Sequence, residues 1–453
     1  MELRDKKCVV IGAGASGIAA AELLTRMGAS VTMNDRRTRA ELTSRAAKME
    51  RLGVILALEA HDLTIFEGAS LVVVSPGVPA LPVFAELEER GVEIIGEVEL
   101  AARLLKAPLV AITGTNGKST VTTLVGDMLR RSGRKTFTGG NLGTALSDAV
   151  GGHADTPDGV VVVELSSFQL ERVRDLRPRV AALLNCTADH LDRYASFSAY
   201  ARTKGDIFRA QGAGDHAVVP SGDRLCADLA PSSGPTRHDF AGENGEVRVQ
   251  GDSIVDTETG WRFPTTELGL RGRHNLDNAC AAVLCARLAG ATGEAIGEAL
   301  REVKGLPHRA EMVRTLDEVA YVDDSKATNV GAALASLEGL ATPERRAVLI
   351  AGGVDKGGSY VPLAKAMARL GRAAVLIGEA SPLLAAALAS AGVAFESAAS
   401  MSDAVGRSRA LAEPGDVILL APACSSYDMY LSYAHRGEAF QTAVRALASG
   451  GEA

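Results

Sequence analysis

The chain has 453 residues, 47% of them hydrophobic, with 48 Lys and Arg against 55 Asp and Glu and a formal net charge of −7. At roughly 150 residues per domain that length predicts about three domains, and the negative balance argues against a nucleic-acid surface, so an anionic ligand must be held by local donors rather than by the overall field. The six cysteines (Cys8, Cys186, Cys226, Cys280, Cys285, Cys424) are scattered without a Cys-x-x-Cys pair. That excludes a zinc or disulfide framework and fits a cytoplasmic protein with reduced thiols. No apolar run approaches ~18 residues, so no membrane span is expected, and the first seven residues lack an apolar signal core.

Short apolar strands alternate with helical stretches through most of the chain. Strands are predicted at 8–11, 31–33, 71–74, 109–113, 160–164, 180–184, 321–323, 348–351, 374–377 and 417–420. The alternation predicts an α/β protein of parallel sheets covered by helices. We expect three domains: a Rossmann-like domain over 1–106, a central P-loop ATPase-like domain over 107–305, and a Rossmann-like doubly wound domain over 306–453. The interval 231–264 is rich in Gly, Pro, Ser and Thr and reads as an irregular or hairpin excursion within the middle domain.

In the first domain, Gly12-Ala-Gly-Ala-Ser-Gly17 follows a strand and opens a helix, and Asp35 ends the next strand. This is the dinucleotide fingerprint in its proper context. Alone it favours a nicotinamide-dependent oxidoreductase, but the same loop can hold any diphosphate, including that of a UDP-sugar, and a plain βαβ packing turn is the bland alternative. Ala15 and Ser16 would face the diphosphate, with Asp35, Arg36 and Arg37 near the uridine. A second loop, Ser75-Pro-Gly77-Val78, could close over the nucleotide.

Leu109-Val-Ala-Ile-Thr-Gly114-Thr115-Asn116-Gly117-Lys118-Ser119-Thr120 is the most informative stretch. A buried strand runs into a glycine turn and then a helix to about Arg131. That arrangement aims backbone N–H groups and a helix N-terminus at one point, which suits phosphate oxygens. Lys118 supplies a mobile positive charge for the terminal phosphates, and the Ser119 hydroxyl can ligate Mg²⁺. The general P-loop places a glycine where Ile112 stands, so the match departs from the usual pattern there. Glu164 ends the strand 160–164, where a carboxylate can bind Mg²⁺. Asn185-Cys-Thr-Ala-Asp189-His190-Leu-Asp192-Arg-Tyr194 puts a polar cluster at another strand end. Lys204, on a predicted helix after that loop, reads by itself as an ordinary exposed lysine.

These stretches together resemble the Mur ligases, ATP-dependent amide-forming enzymes of peptidoglycan assembly, and most of all their D-glutamate-adding branch. Further matches are His274-Asn-Leu-Asp-Asn278, Leu306-Pro-His-Arg309, Asp324-Ser-Lys-Ala-Thr-Asn329, Gly352-Gly-Val-Asp-Lys356 and Ala421-Pro-Ala-Cys-Ser-Ser-Tyr-Asp428, in family order over nearly the whole chain. The resemblance implies ATP and Mg²⁺ as cofactors, with UDP-N-acetylmuramoyl-L-alanine and D-glutamate as substrates. It implies phosphoryl transfer to a carboxylate, then attack of an amine on the acyl phosphate. Lys118 and Ser119 would hold phosphates and Mg²⁺, Glu164 would ligate Mg²⁺, and His190 would serve a second Mg²⁺ and the UDP-substrate. Lys204 matches a carbamylated lysine, whose negative charge could support that second metal. Asn141 matches a UDP-substrate contact, and Asn278, Arg309 and Asp324 match ATP contacts.

Lys326, Thr328, Lys356, Ser426 and Tyr433 match the D-glutamate pocket. Lys356 has a reason of its own, since a dianionic amino acid needs cationic partners. Ser426 reads equally as a helix N-cap, and Tyr433 as core packing. Asp355 and Lys356 are adjacent here, whereas some relatives separate them by one residue. The resemblance draws ATP contacts from the predicted second and third domains, so closure on ligand binding is expected. Nothing demands more than a monomer. The alternatives are the oxidoreductase, a non-catalytic ATP-binding switch, a folylpolyglutamate-type ligase, and a ligase for diaminopimelate or lysine, whose Asp-Asn-Pro-Arg-type motif is absent.

Overall fold

Runs rich in Val, Ile and Ala are too short for independent helices, and they form the strands of a computed structural model that describes residues 1–269, 273–303 and 305–448. The side chain of His274 in the motif above, and residues 449–453 of the predicted third domain, lie outside the described residues. The described chain packs as two units. One comprises Met1–Cys186, Ala201–Glu267 and Asp277–Arg301; the other gathers Thr187–Tyr200, Leu268–Leu276 and Glu302–Ala453, as far as these are described.

The first unit holds two sheets. β1 (Lys7–Ile11), β2 (Ser30–Asp35), β3 (Ile55–Leu58), β4 (Leu71–Val74) and β5 (Glu93–Gly96) form a parallel sheet in the order β3-β2-β1-β4-β5. Its order reverses at β1, so the loops after β1 and β4 flank a crevice at the carboxyl edge. The second sheet contains β6 (Leu109–Thr113), β7 (Thr136–Gly140), β8 (Val160–Glu164), β9 (Val180–Leu183), β10 (His216–Pro220), β11 (Thr236–Phe240), β12 (Val247–Gln250), β13 (Ser253–Asp256) and β14 (Arg262–Pro264). Its order is β14-β13-β12-β11-β10-β9-β6-β8-β7. β6 and β8 are buried along their full lengths, as strands covered on both faces must be. The interval expected to be an irregular or hairpin excursion extends this sheet, its hairpin reading borne out by β12 to β14. β11 joins β10 in parallel, and β12, β13 and β14 continue as an antiparallel meander.

The second unit holds β15 (Glu311–Leu316), β16 (Val319–Asp323), β17 (Ala347–Gly352), β18 (Gly371–Ile377), β19 (Phe395–Ser397) and β20 (Val417–Leu420), in the order β15-β16-β20-β17-β18-β19. All pairings are parallel except that of β15 with β16. Helices bury aliphatic layers on both faces of this sheet.

Close approach of helix to strand makes one glycine indispensable. A Cβ on Gly17, in the helix Ala15–Arg26, would lie 1.8 Å from the carbonyl oxygen of Gly12. Gly17→Ala therefore forces that helix off β1, with an expected loss of about 3 kcal/mol of unfolding free energy. Denaturant unfolding with an unchanged midpoint would contradict this packing.

Candidate active site

The crevice of the first sheet opens into a cavity of about 510 Å³, in the range of small-molecule sites. Ala15, Ser16, Asp35, Arg37, Gly77 and Asn141 line it; Arg36 is exposed and is not among the lining residues. The helix Ala15–Arg26 starts without a side-chain cap, so its first turn offers unspent N–H groups to an anion. Asp35 is already clamped: it accepts the Ala13 N–H at 2.6 Å and pairs two-pronged with the Arg37 guanidinium at 2.9 and 2.7 Å. Burial works against its charge, but the Arg37 and Ala13 donors win and hold the carboxyl down at about 2. Gln169, not singled out from sequence, also lines the cavity.

In the second sheet, β6 ends at Thr113 and the helix Lys118–Arg131 begins after Gly117, whose φ of +83° suits glycine alone. The side-chain amide of Asn185, just beyond β9, pins the loop between them. Its Oδ1 accepts the Asn116 N–H at 2.9 Å, its Nδ2 donates to the Asn116 carbonyl at 3.1 Å, and its own carbonyl accepts the Thr115 N–H at 3.0 Å. Lys118 Nζ donates back to the carbonyls of Gly114 and Thr115 at 2.9 and 2.8 Å. Ser119 and Thr120 are buried in the helix's first turn. Asn278 sits against the loop, its Oδ1 only 2.2 Å from where a Cβ on Gly117 would stand.

Glu164 ends β8 with its carboxylate buried. Oε1 accepts from Asn141 Nδ2 at 2.7 Å, while Oε2 has no hydrogen-bond partner among the described residues. A buried carboxylate oxygen with a free lone pair is costly unless a cation uses it. With the Ser119 hydroxyl, it gives the oxygen donors a hard divalent cation prefers. Lys204 corrects the sequence reading. It is 1% exposed rather than a surface lysine, and its Nζ donates to the Gly114 carbonyl at 2.8 Å.

In the second unit, Asp189 organises its own loop. Its carboxylate accepts the His190 N–H at 3.0 Å, Asn329 Nδ2 at 3.1 Å and Lys356 Nζ at 3.2 Å. His190 has a φ of +54°, a strained conformation that such contacts must hold. The neighbours Asp355 and Lys356 separate here: Lys356 reaches Asp189, whereas Asp355 turns back to accept from the Tyr360 hydroxyl and the Gly357 N–H. Arg309 lies between His308 and Ala310, both with positive φ. His308 is fixed by Asp323 at 2.7 Å and by the Glu311 carboxylate on its N–H at 2.9 Å. Burial pushes the Asp324 carboxyl up to about 6, with Arg309 pulling against it.

The loops after β16, β17 and β20, three adjacent strands, carry Lys326 and Thr328, Lys356, and Ser426. Lys326 Nζ lies 3.9 Å over the ring of Tyr433, a cation–π contact that gives the tyrosine more than a packing role. Ser426 is not a helix cap; its carbonyl accepts from Met429 and Tyr430 in a turn, and Ser432 caps the next helix. All three loops converge on Arg436, a residue sequence reading passed over. Its guanidinium, 1% exposed, donates to Ser325 Oγ and to the carbonyls of Ser325, Gly352, Cys424 and Ser425. Its acceptors are all neutral; it forms no ion pair among the described residues. Desolvation lowers it to about 10. The available signal was periodicity: Arg436 stands with Gly437, Phe440, Gln441 and Val444 on the buried stripe of the helix Tyr433–Arg445, where a charge is out of place.

Comparison with known proteins adds to this geometry. Residues 6–96 match the model of the Mur ligase MurD-like N-terminal domain, 112–286 the Mur ligase middle domain, and 308–424 the Mur ligase glutamate ligase domain. The chain is 44% identical over 463 aligned positions to UDP-N-acetylmuramoylalanine--D-glutamate ligase of Desulfosudis oleivorans, covering 100% of this chain and 99% of that one. It is 42% identical to the enzyme of the same name from Geotalea daltonii, covering 99% of each. In fold it is similar to UDP-N-acetylmuramate-alanine ligase MurC of Thermotoga maritima, with a TM-score of 0.60 at 20% identity over 97% of this chain and 99% of that one.

Arg436→Met would leave several buried carbonyls without a donor, each costing on the order of 1–3 kcal/mol. Denaturant unfolding is expected to show a loss of about 3 kcal/mol. An equally stable variant would remove Arg436 from its place as the tie between the loops.

Proposed function

Because the chain belongs to the Mur ligase family, we infer that it is an ATP-dependent carboxylate–amine ligase joining D-glutamate to UDP-N-acetylmuramoyl-L-alanine in peptidoglycan precursor synthesis. The observation that carries the amino-acid side of this reading is the convergence on Arg436 of loops bearing Lys326, Lys356 and Ser426. A dicarboxylate meets cations there on a buried, oriented frame.

A carboxylate is a poor electrophile, so the γ-phosphoryl of ATP is first transferred to the alanyl carboxylate. The amine of D-glutamate attacks the acyl phosphate, and the tetrahedral intermediate collapses to the amide with loss of phosphate. Such transfer needs positioning and charge neutralisation more than covalent help. The loop Gly114, Thr115, Asn116, Gly117, held by Asn185 through the N–H groups of Thr115 and Asn116, wraps the phosphates at the start of the helix Lys118–Arg131, and Lys118 swings from its carbonyl partners to the phosphates. Glu164 and Ser119 would hold Mg²⁺, which supplies charge neutralisation at the phosphates. Carbamylation of the buried Lys204 would make it an anionic ligand for a second Mg²⁺, and His190 is a proposed metal and substrate contact. Ala15, Ser16, Asp35, Gly77 and Asn141 serve the UDP moiety. Asn278, Arg309 and Asp324 serve ATP, and Lys326, Thr328, Lys356, Ser426 and Tyr433 serve D-glutamate. The reading sets the reaction in the cytoplasm, where ATP is at hand; no described helix is long and apolar enough to cross a membrane. One chain carries every proposed contact, so a monomer suffices.

Phosphate release assayed with UDP-N-acetylmuramoyl-L-alanine and a panel of D- and L-amino acids is expected to give strong turnover with D-glutamate alone. Lys118→Ala abolishes that turnover while sparing binding of the UDP-substrate. Turnover with another amino acid, or none with D-glutamate, refutes the assignment.

The pH dependence follows from Asp324. Its folded value of about 6 lies above the ordinary carboxylate value, so the ionised form able to accept from ribose hydroxyls fills in as pH rises from about 5 to about 7. The expected KM for ATP falls over that window. Asp324→Asn flattens the dependence and raises KM about tenfold, equivalent to ~1.4 kcal/mol. A wild-type slope retained in the variant would assign the titration to another group.

A further inference from the structure

Two of the loops proposed to hold D-glutamate are fixed at their roots and at their tips by different groups. At the roots, just past β17 and β20, the backbones lock together. Val354 and Ser425 exchange both main-chain hydrogen bonds, at 3.0 and 3.1 Å. A Cβ on Gly353 would lie 2.0 Å from the Ser425 carbonyl oxygen, and Arg436 donates to the carbonyls of Gly352 and Ser425. Lys356 stands two residues beyond that lock. It is followed by Gly357, at a φ of +75°, and Gly358. Glycines give a backbone wide conformational freedom, so the placing of Lys356 depends on what ties the tip from outside.

Tyr360 supplies such a tie. It is 7% exposed, at the start of the helix Val361–Leu370, and a buried phenol needs a partner for its hydroxyl. It has one on each loop. The O–H donates to Asp355 Oδ1 at 2.6 Å, and Cys424 Sγ lies 3.2 Å from the phenolic oxygen. The single phenolic proton is spent on the carboxylate, so the thiol donates to the phenol. Burial pushes the Tyr360 phenol up, and the bond to Asp355 adds to the rise; burial also pushes the Cys424 thiol up to about 11. Both groups keep their protons at neutral pH, and the hydrogen bonds run in one direction from Cys424 through Tyr360 to Asp355. The other oxygen of that carboxylate accepts the Gly357 N–H at 3.1 Å. Asp355 and Gly357 flank Lys356, so the grip of Tyr360 on Asp355 frames the lysine on both sides.

We propose that Tyr360 is a positioning residue for D-glutamate: its hydroxyl, bonded to Asp355 on one loop and Cys424 on the other, sets where Lys356 stands relative to Ser426. The proposal rests on the reading of Lys356 and Ser426 as D-glutamate contacts. A ligand that bridges two loops loses affinity when one of them must be ordered on binding. ATP and the UDP-substrate are assigned to other segments, so neither should sense the loss.

The test is steady-state phosphate release by the full chain, with each of the three substrates varied in turn, for the wild type, Tyr360→Phe, Asp355→Ala, the double variant and Lys356→Ala. Tyr360→Phe removes one oxygen and keeps the buried ring. It is expected to raise KM for D-glutamate about tenfold, as loss of a hydrogen bond to a charged group can. Its kcat should change less, and KM for ATP and for the UDP-substrate should stay put. Asp355→Ala removes the other end of the same bond, so the double variant should be no worse than the worse single one. Should the alanine variant not fold, the Tyr360→Phe comparison decides alone. A wild-type KM for D-glutamate in Tyr360→Phe, an equal rise for all three substrates, or additive effects in the double variant would each overturn the inference while Lys356→Ala still weakens D-glutamate. An unchanged KM for D-glutamate in Lys356→Ala overturns the reading of the pocket, and the inference with it.

Discussion

The amide of Asn185 holds the loop between Gly114 and Lys118, and the rest of the proposed triphosphate site depends on that grip. Asn185 grips this loop from a segment beyond β9, taking both polar groups of Asn116 and the N–H of Thr115. Gly117 then turns at positive φ against Asn278, where any side chain would collide. Lys118 donates to two carbonyls of the same loop, the bonds that the proposed phosphate contact would replace.

The same device recurs in the second unit with different atoms. Parallel strands end together, and their loops carry residues in conformations that the local chain does not favour, including His190, His308, Ala310 and Ala423 at positive φ. Side chains both near and far in sequence tie these loops. Asp189 grips the loop of His190 together with Asn329 and Lys356, Asp323 and Glu311 grip His308, and Arg436 gathers the loops after β16, β17 and β20. Strain of this kind survives only where the surroundings over-determine it. Here it falls on the loops that carry His190, Arg309 and Ser426.

Charge is distributed with the same economy. A chain of net charge −7 cannot attract nucleotides by its overall field. It places cations locally instead, in Lys118, Lys356 and the buried Arg436, whose hydrogen-bond acceptors are all neutral. It also keeps single carboxylate oxygens unfilled at Glu164 and Glu97. At Glu164 such an oxygen has the chemistry of a cation ligand.

Sequence by itself determined the α/β class, the strand-loop-helix units at Gly12–Gly17 and Gly114–Ser119, and the polar cluster around Asp189, because all of these are local patterns of apolar period and turn chemistry. It passed over β3, β5, β7, β10, β15 and β19, which are short, glycine-bearing or half polar, and it read the interval containing β11 to β14 only as an irregular or hairpin excursion, since meander strands carry weak alternation. It also took Lys204 for a surface residue and left Arg436 and Asn185 without a role. Only tertiary structure decided these. Lys204 meets Gly114 ninety positions away in sequence, Arg436 meets Ser325 at a separation of 111 and Asn185 meets Asn116 at 69, and no periodicity within a helix or strand encodes a contact made by packing one sheet's loops against another segment of the chain.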